Sequence, residues 1–325
     1  EAQVDKYFEQ LHRAVLAPPG TATRLDATLQ VLREYELQLR ATEDAIKRGA
    51  PPPSDSMVIA KIKAEADRMP PPLNTLLAGL ISSSSGQVAS GAQAGVQKQL
   101  ITDVSATCKE IIEGRYPFTK GQAREVPPAD FGRLFGPNGT FDNFLKTKMQ
   151  GMYDPSGAQW KPIKLAENVE SFSPATVSQF QRASVIREAF FPTGGPNPSV
   201  TADLVLTKLE DGITEVQVTV DGQVTRMTAG GGSAIRLNWP SISANPNIRL
   251  AAMIGDKLEA PPNLAFDGQW TLFRLADAGK REGGSAERMI LSYTFGGKKA
   301  VFELRSPSIR NPLQLPEIAQ LRCPS

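Results

Sequence analysis

A Ser/His/Asp catalytic set needs a histidine to carry the proton, and the 325 residues contain one, His12. Phe8 and Val15 flank it at helical spacing, which predicts a half-buried structural imidazole on an amphipathic helix. The serines offer no GxSxG elbow: Gly231-Gly232-Ser233 continues into Ala234-Ile235 and Gly284-Ser285 into Ala286-Glu287, and both read as hairpin loops. Phosphate binding asks for glycines whose backbone N–H groups converge ahead of a lysine and a helix. Gly296-Gly297-Lys298-Lys299 lies between strand patterns and reads as a turn. Gly136 to Gly139, within FGPNGTFDNF from Phe135 to Phe144, has no Lys-Ser/Thr sequel. Asp142-Asn143 supplies too few oxygens for an EF-hand calcium loop, and Glu210-Asp211 reads as a solvated turn. Asn138-Gly139-Thr140 matches a glycosylation sequon, a triplet common by chance. Cys108 and Cys323 stand in no CxxC or Cys/His metal spacing. They read either as two inert buried thiols or, in an oxidising compartment, as one long-range disulfide. These residues assign no catalytic group, no metal and no cofactor.

Composition narrows the partners. Lys+Arg of 36 against Asp+Glu of 34 leaves a formal net charge of +2. With no long run of one sign, neither nucleic acid nor an anionic membrane surface is expected. No apolar run approaches the ~20 residues of a membrane span, and the start carries no signal-peptide pattern. The chain as given is expected to be soluble. Its opening inside an amphipathic helix without an initiator Met reads as a mature or excised segment, so any membrane attachment is expected through a span outside it.

The elements come from the apolar period. Val4, Phe8, Leu11 and Val15 form one helical stripe. Leu25, Leu29, Leu32, Tyr35, Leu39 and Ile46 form a longer one, closed by Gly49 and Pro51 to Pro53. Ser54 reads as the N-cap of a helix with Val58, Ile62 and Met69. Val96, Leu100, Val104, Cys108 and Ile111 mark another that stops at Gly114; the small residues Ser82 to Gly95 read either as a loop flanked by helix, the favoured reading, or as a closely packed helix face. Phe131, Leu134 and Phe135 lie on a short helix. A turn at Pro137-Asn138-Gly139, with glycine at positive φ, leads to a helix capped by Thr140 whose Phe141, Phe144 and Leu145 return to the same core. Ser173-Pro174 starts a helix with Val177, Phe180, Ala183, Ile186 and Phe190, and Pro192 to Pro198 breaks the composition.

After that break the period falls to two. Val200 to Leu206, Val216 to Val220 before the Asp221-Gly222 turn, Ile235 to Trp239 and Ile248 to Ile254 read as strands. So do Trp270 to Arg274, with Phe273 on the opposite face, and Met289 to Phe295, joined by Gly296-Gly297 to Phe302 and Leu304. The fold class is α+β, an N-terminal all-α region followed by a C-terminal antiparallel β-sandwich. The expected domains are helical over 1–192, divisible into two sub-bundles near 115–127, and a sandwich over 198–325.

CKEIIEGRYPF, from Cys108 to Phe118, and ADFGRLFGPNGTFDNFL, which holds Phe135, Gly139 and Phe144, resemble the region after the last membrane span of the IcmF/TssM family. The likeness continues through QFQRASVIREAFF from Gln179, DGQWTLFRL from Asp267 and NPLQLPEIAQLRCP from Asn311. The family commonly shows NPF where this chain has Asn311-Pro312-Leu313. The resemblance implies a periplasmic segment of the type VI secretion inner-membrane protein, a scaffold without catalysis. Its sandwich would bind the outer-membrane lipoprotein TssJ, beside other membrane-complex subunits and further copies of itself. The family's nucleotide-binding motif belongs to its cytoplasmic region, and no Walker sequence occurs here. Tyr116, Pro117 and Phe118 read as a buried helix exit and Trp270 and Phe273 as sandwich core, with Arg115 and Arg274 as further structural motif residues; contacts with the partner fall within the β-domain, without assigned residues. If Cys108 and Cys323 are bonded, the C-terminal tail folds back onto the helix before Arg115. The rival is a carbohydrate-binding or glycan-processing β-sandwich of the cell envelope, which needs Trp239 or Trp270 exposed as a stacking platform.

Overall fold

The computed structural model describes residues 2–48, 56–166, 169–308 and 310–325. The expected helix stop at Gly49 and Pro51 to Pro53, the cap at Ser54 and the side chain of Val4 lie outside the described residues. Contacts divide the chain into two units, Glu1–Gln99 with Gly151–Pro174, and Leu100–Gln150 with Ala175–Ser325. Compactness therefore groups the later helices with the sheets.

The first unit contains α1 (Ala2–Val15), α2 (Arg24–Lys47), α3 (Ser56–Arg68) and α4 (Leu73–Gln99). Two small antiparallel ribbons join them, β1 (Tyr153–Asp154) with β2 (Lys161–Pro162) and β3 (Lys164–Ala166) with β4 (Val169–Glu170). A reciprocal capping box starts α2: Asp26 N donates to Thr23 Oγ1 at 3.0 Å and Thr23 N to Asp26 Oδ2 at 2.9 Å, satisfying two backbone donors. Ala14, Ala66, Met69 and Leu77 form a buried cluster, with Leu32 and Leu73 packed against it.

Three expectations are corrected in this unit. Phe8 and Val15 are exposed, because α1 turns Ala14 inward, and His12 is exposed rather than half-buried. On α2 the buried line is Thr28, Tyr35 and Thr42, seven residues apart, with Ala45; Leu29 is exposed. Ser82 to Gly95 is no loop but the body of α4. Its serines bond back onto the helix, Ser83 Oγ to Leu80 O at 3.1 Å and Ser90 Oγ to Gly86 O at 2.8 Å. Its small residues also let α2 approach, so that a Cβ on Gly91 would sit 3.3 Å from Ile46 Cδ1.

The second unit opens with a π-helical segment, Leu100–Ser105, running into α5 (Ala106–Ile112). Then come α6 (Pro128–Phe135), α7 (Thr140–Lys148) and α8 (Pro174–Phe190), the last starting at the proline that needs no N–H partner there. Among the described residues ten strands follow: β5 (Val200–Leu209), β6 (Ile213–Val220), β7 (Gln223–Met227), β8 (Ala234–Trp239), β9 (Asn247–Ile254), β10 (Lys257–Glu259), β11 (Ala265–Asp267), β12 (Lys280–Gly284), β13 (Arg288–Phe295) and β14 (Lys298–Arg305). All pair antiparallel, in two five-stranded sheets. One has the order β10-β9-β6-β7 with β11 also on β9, the other β12-β13-β14-β5-β8. Because β7 and β8 belong to different sheets, Gly231-Gly232-Ser233 is a crossover between sheets and not a hairpin loop. Alternation holds as expected: Val200, Ala202, Leu204 and Leu206 are buried, as are Met289, Leu291, Tyr293 and Phe295.

The expected strand at Trp270 to Arg274 is instead α9 (Thr271–Ala278). Thr271, Leu272, Phe273, Leu275 and Ala276 are its buried residues, a helical face hidden behind the accidental alternation of Trp270, Leu272 and Arg274. A last short helix, α10 (Pro316–Gln320), precedes the C-terminal tail.

Candidate functional site

The motif residues converge on two interior features of the second unit. The first is a latch. Beyond α5 the chain turns back on itself, Tyr116 N donating to Arg124 O and Val126 N to Tyr116 O, both at 2.9 Å. This brings Glu125 to α9, where it accepts from Gln269 N and Arg274 Nε, each at 2.9 Å. Arg274 Nη2 reaches Gln122 O at 2.9 Å, and the guanidinium lies 4.2 Å from the centre of the Tyr116 ring. The Tyr116 hydroxyl donates to Asp277 Oδ2 at 3.0 Å. Burial first, then the Asp277 carboxylate, push the phenol above its ordinary value, so it stays a donor. Gly268, at φ +101°, leaves no room for a side chain, since a Cβ there would lie 2.6 Å from Glu125 Oε2.

The second feature is an aromatic cluster. Phe131 of α6 and Phe190 of α8 pack against Trp239 of β8, Trp270 and Phe273, with Trp239 and Trp270 ring centres 4.2 Å apart. The Trp270 indole donates to Val126 O at 2.7 Å. Phe118 stacks on Phe135 at 5.6 Å, and Phe144 on Phe180 at 5.7 Å. Pro117 is buried, while Arg115 is half-buried and closes its turn through Thr119 N at 2.9 Å.

The corner between α6 and α7 is architectural on its inner side, with one correction of its chemistry. Asn138, not Gly139, takes the left-handed conformation, at φ +60°, and Gly139 rather than Thr140 is the N-cap. Gly139 is needed because a Cβ would lie 2.8 Å from Arg133 O. Asp142, 3% exposed, accepts from Asn138 N at 2.8 Å and pairs with Lys146 at 2.7 Å and with Arg187 of α8. Sequence reasoning weighed Asp142 only as a calcium ligand. The signal for its role was a carboxylate set among Phe141, Phe144 and Leu145 on a buried helix face. Glu125 and Asp277 carried no such signal.

Cys108 and Cys323 form a disulfide, their Cα atoms 5.7 Å apart. The tail beside it is tied down by Ser105 Oγ donating to Pro324 O, by Arg322 N to Gln179 Oε1 at 2.8 Å and by Thr176 Oγ1 to Ser325 O at 3.3 Å.

Outside this interior, α6, the corner, the 196–198 linker and Pro240 wall an open cleft of about 590 Å³. Among the described residues no group of three or more His, Cys, Asp or Glu is placed to hold a metal, and no helix is long and apolar enough to cross a membrane. Trp239 and Trp270, at 1% and 0% exposure, cannot stack on a glycan.

The arrangement is thus one of buried ties between helices and sheets, and comparison with known proteins gives it a lineage. Residues 91–196 match the type VI secretion protein IcmF helical domain, and residues 202–308 the type VI secretion protein IcmF C2-like domain. The chain belongs to the IcmF family of type VI secretion proteins. It is 26% identical over 322 residues to type VI secretion system component TssM1 of Pseudomonas aeruginosa strain PAO1, covering 96% of this chain but 29% of that relative. In fold, this IcmF-family chain resembles the TssM C-terminal domain from EAEC, at TM-score 0.60 and 22% identity over 71% of this chain and 95% of that one. A chain of a type VI secretion system membrane core complex matches at TM-score 0.74 and 18% identity, over 99% of this chain and 70% of that one.

Proposed function

We propose that this chain is a periplasmic scaffold segment of a type VI secretion membrane complex, joining the inner-membrane protein to the outer-membrane lipoprotein TssJ. The observation that carries the reading is the ordered pair of IcmF domains, helical then C2-like, whose motif residues are spent on internal ties. No reaction is assigned to it. The helical domain is taken as 1–192 and the sandwich as 198–325, with TssJ on the sandwich, whose loops and edge strands can meet a partner without dismantling the core. Other subunits, and further copies of the chain, complete its partners.

Calorimetry of the whole chain against soluble TssJ tests the reading. Saturable binding is expected, only modestly weakened by salt because the chain is nearly neutral. Hydrogen exchange on the complex should show new protection after residue 198. No binding, or protection confined to residues before 192, would overturn the assignment.

A further inference from the structure

The two sulfurs of the Cys108–Cys323 bridge stand in unlike surroundings. Cys108 is 0% exposed on α5, on a helical face that also buries Val104 and Ile111. Cys323 is half-buried, in the tail beyond α10. That tail is also held without the bridge. Leu321 is buried, Arg322 N donates to Gln179 Oε1 at 2.8 Å, Ser105 Oγ to Pro324 O, and Thr176 Oγ1 to Ser325 O at 3.3 Å. These ties flank Cys323 on both sides, two reaching α8 and one the π-helical segment. Noncovalent contacts therefore set Cys323 beside Cys108, and the sequence holds no third cysteine to compete.

We propose that the bridge is made on the already folded chain, by thiol–disulfide exchange that enters at Cys323, with Cys108 as the resolving thiol. The oxidant is a disulfide. The Cys323 thiolate attacks one of its sulfurs, joins that sulfur in a mixed disulfide and expels the other as a thiolate, which takes up the proton Cys323 released. The Cys108 thiolate then attacks Cys323 Sγ. The Cys108–Cys323 bond forms, the mixed disulfide breaks, and the second oxidant sulfur leaves to take the second proton. Two protein thiols lose two electrons, and the oxidant's disulfide gains them as two thiols. The order follows from access, because exchange depends on which sulfur an incoming molecule can reach, and Cys108 lies beneath the docked tail. The closing step is intramolecular, and the ties around Cys323 give it a high effective concentration. A reductant runs the same path backwards, opening the bridge by attack at Cys323 and expelling Cys108 as the thiolate.

The test uses the whole chain, reduced, freed of reductant and checked for folding by circular dichroism. A short pulse of N-ethylmaleimide followed by peptide mapping should label Cys323 at least about tenfold faster than Cys108, a difference that denaturant abolishes. With oxidised glutathione as the oxidant, Cys108→Ser should accumulate one glutathione at Cys323. Cys323→Ser should stay unmodified in buffer and react once denatured. Ser105→Ala combined with Gln179→Ala should lower the effective concentration of closure at least about tenfold, read as [GSH]²/[GSSG] at half oxidation. A reduced chain that does not fold, equal labelling of the two cysteines in the folded chain, glutathione on Cys108, or closure unchanged by loss of the two ties would each overturn the route.

Discussion

The two buried tryptophans differ in what their ring nitrogens meet, and this separates their substitutions. Trp270→Ala should destabilise the fold by about 3–5 kcal/mol, read from denaturant unfolding, as expected for a lost buried aromatic. Trp270→Phe keeps most of the ring but removes the donor to Val126 O, with an expected cost of ~1–3 kcal/mol for the stranded carbonyl beyond the cavity. Trp239 Nε1 is buried and meets no acceptor among the described residues, so Trp239→Phe should lose only packing. Glu303 gives the pH prediction. The Arg305 hydrogen bond lowers its pKa most, against burial, with the charges of Arg305 and Arg288 adding to the effect. A group depressed in the folded state stabilises fully above its unfolded value, here 4.5, and loses that contribution as pH falls through the folded value. Unfolding free energies of Glu303→Gln should therefore fall less between neutral and acid pH than those of the parent chain.

Among the elements, the glycines divide by surroundings. Gly79 lies within α4 with nothing within 4 Å of a Cβ position, so Gly79→Ala should raise stability by about 0.5–1 kcal/mol. Gly136 ends α6, where a Cβ would lie 2.6 Å from Gly132 O and 3.2 Å from Phe191 Cε1; Gly136→Ala should cost about 1–3 kcal/mol. Thermal melts of both variants check the contrast. The same physics decides what the sequence made legible. The strands at 200–206, 216–220, 235–239, 248–254 and 289–304 were readable because one face of each is buried and the period is two, whereas β7, buried only at Met227, gave no such pattern. The α6–α7 corner was readable because its phenylalanines recur at helical spacing. α4 was not, since Ser and Gly signal loops by propensity and only packing against α2, at Gly91 and Ile46, turns them into a helix face. α9 failed for another reason: eight residues are too few to separate a period of two from one of 3.6 when Trp270, Leu272, Phe273 and Leu275 are all apolar. The motif residues were legible as important, but their bonds were not, because Glu125 meets Arg274 across 149 positions of sequence.

At the scale of the molecule, the disulfide and the tail fastenings hold the C-terminus against α5 and α8. Cys108→Ser with Cys323→Ser should lower stability by about 2–4 kcal/mol through the larger freedom of the unfolded chain, measured by denaturant titration, with the sheets otherwise retained. A scaffold is also judged by how it carries load. The sulfur bridge spans 215 residues of sequence, so it closes the sandwich, α6, α7 and α8 into a covalent ring. Tension applied between the π-helical segment and the last residue passes through that bridge, leaving the sheets off the load path. In a single-molecule pulling experiment, reduction should release roughly 700 Å of hidden length at ~3.3–3.6 Å per residue; the oxidised chain should yield only the few residues outside the ring.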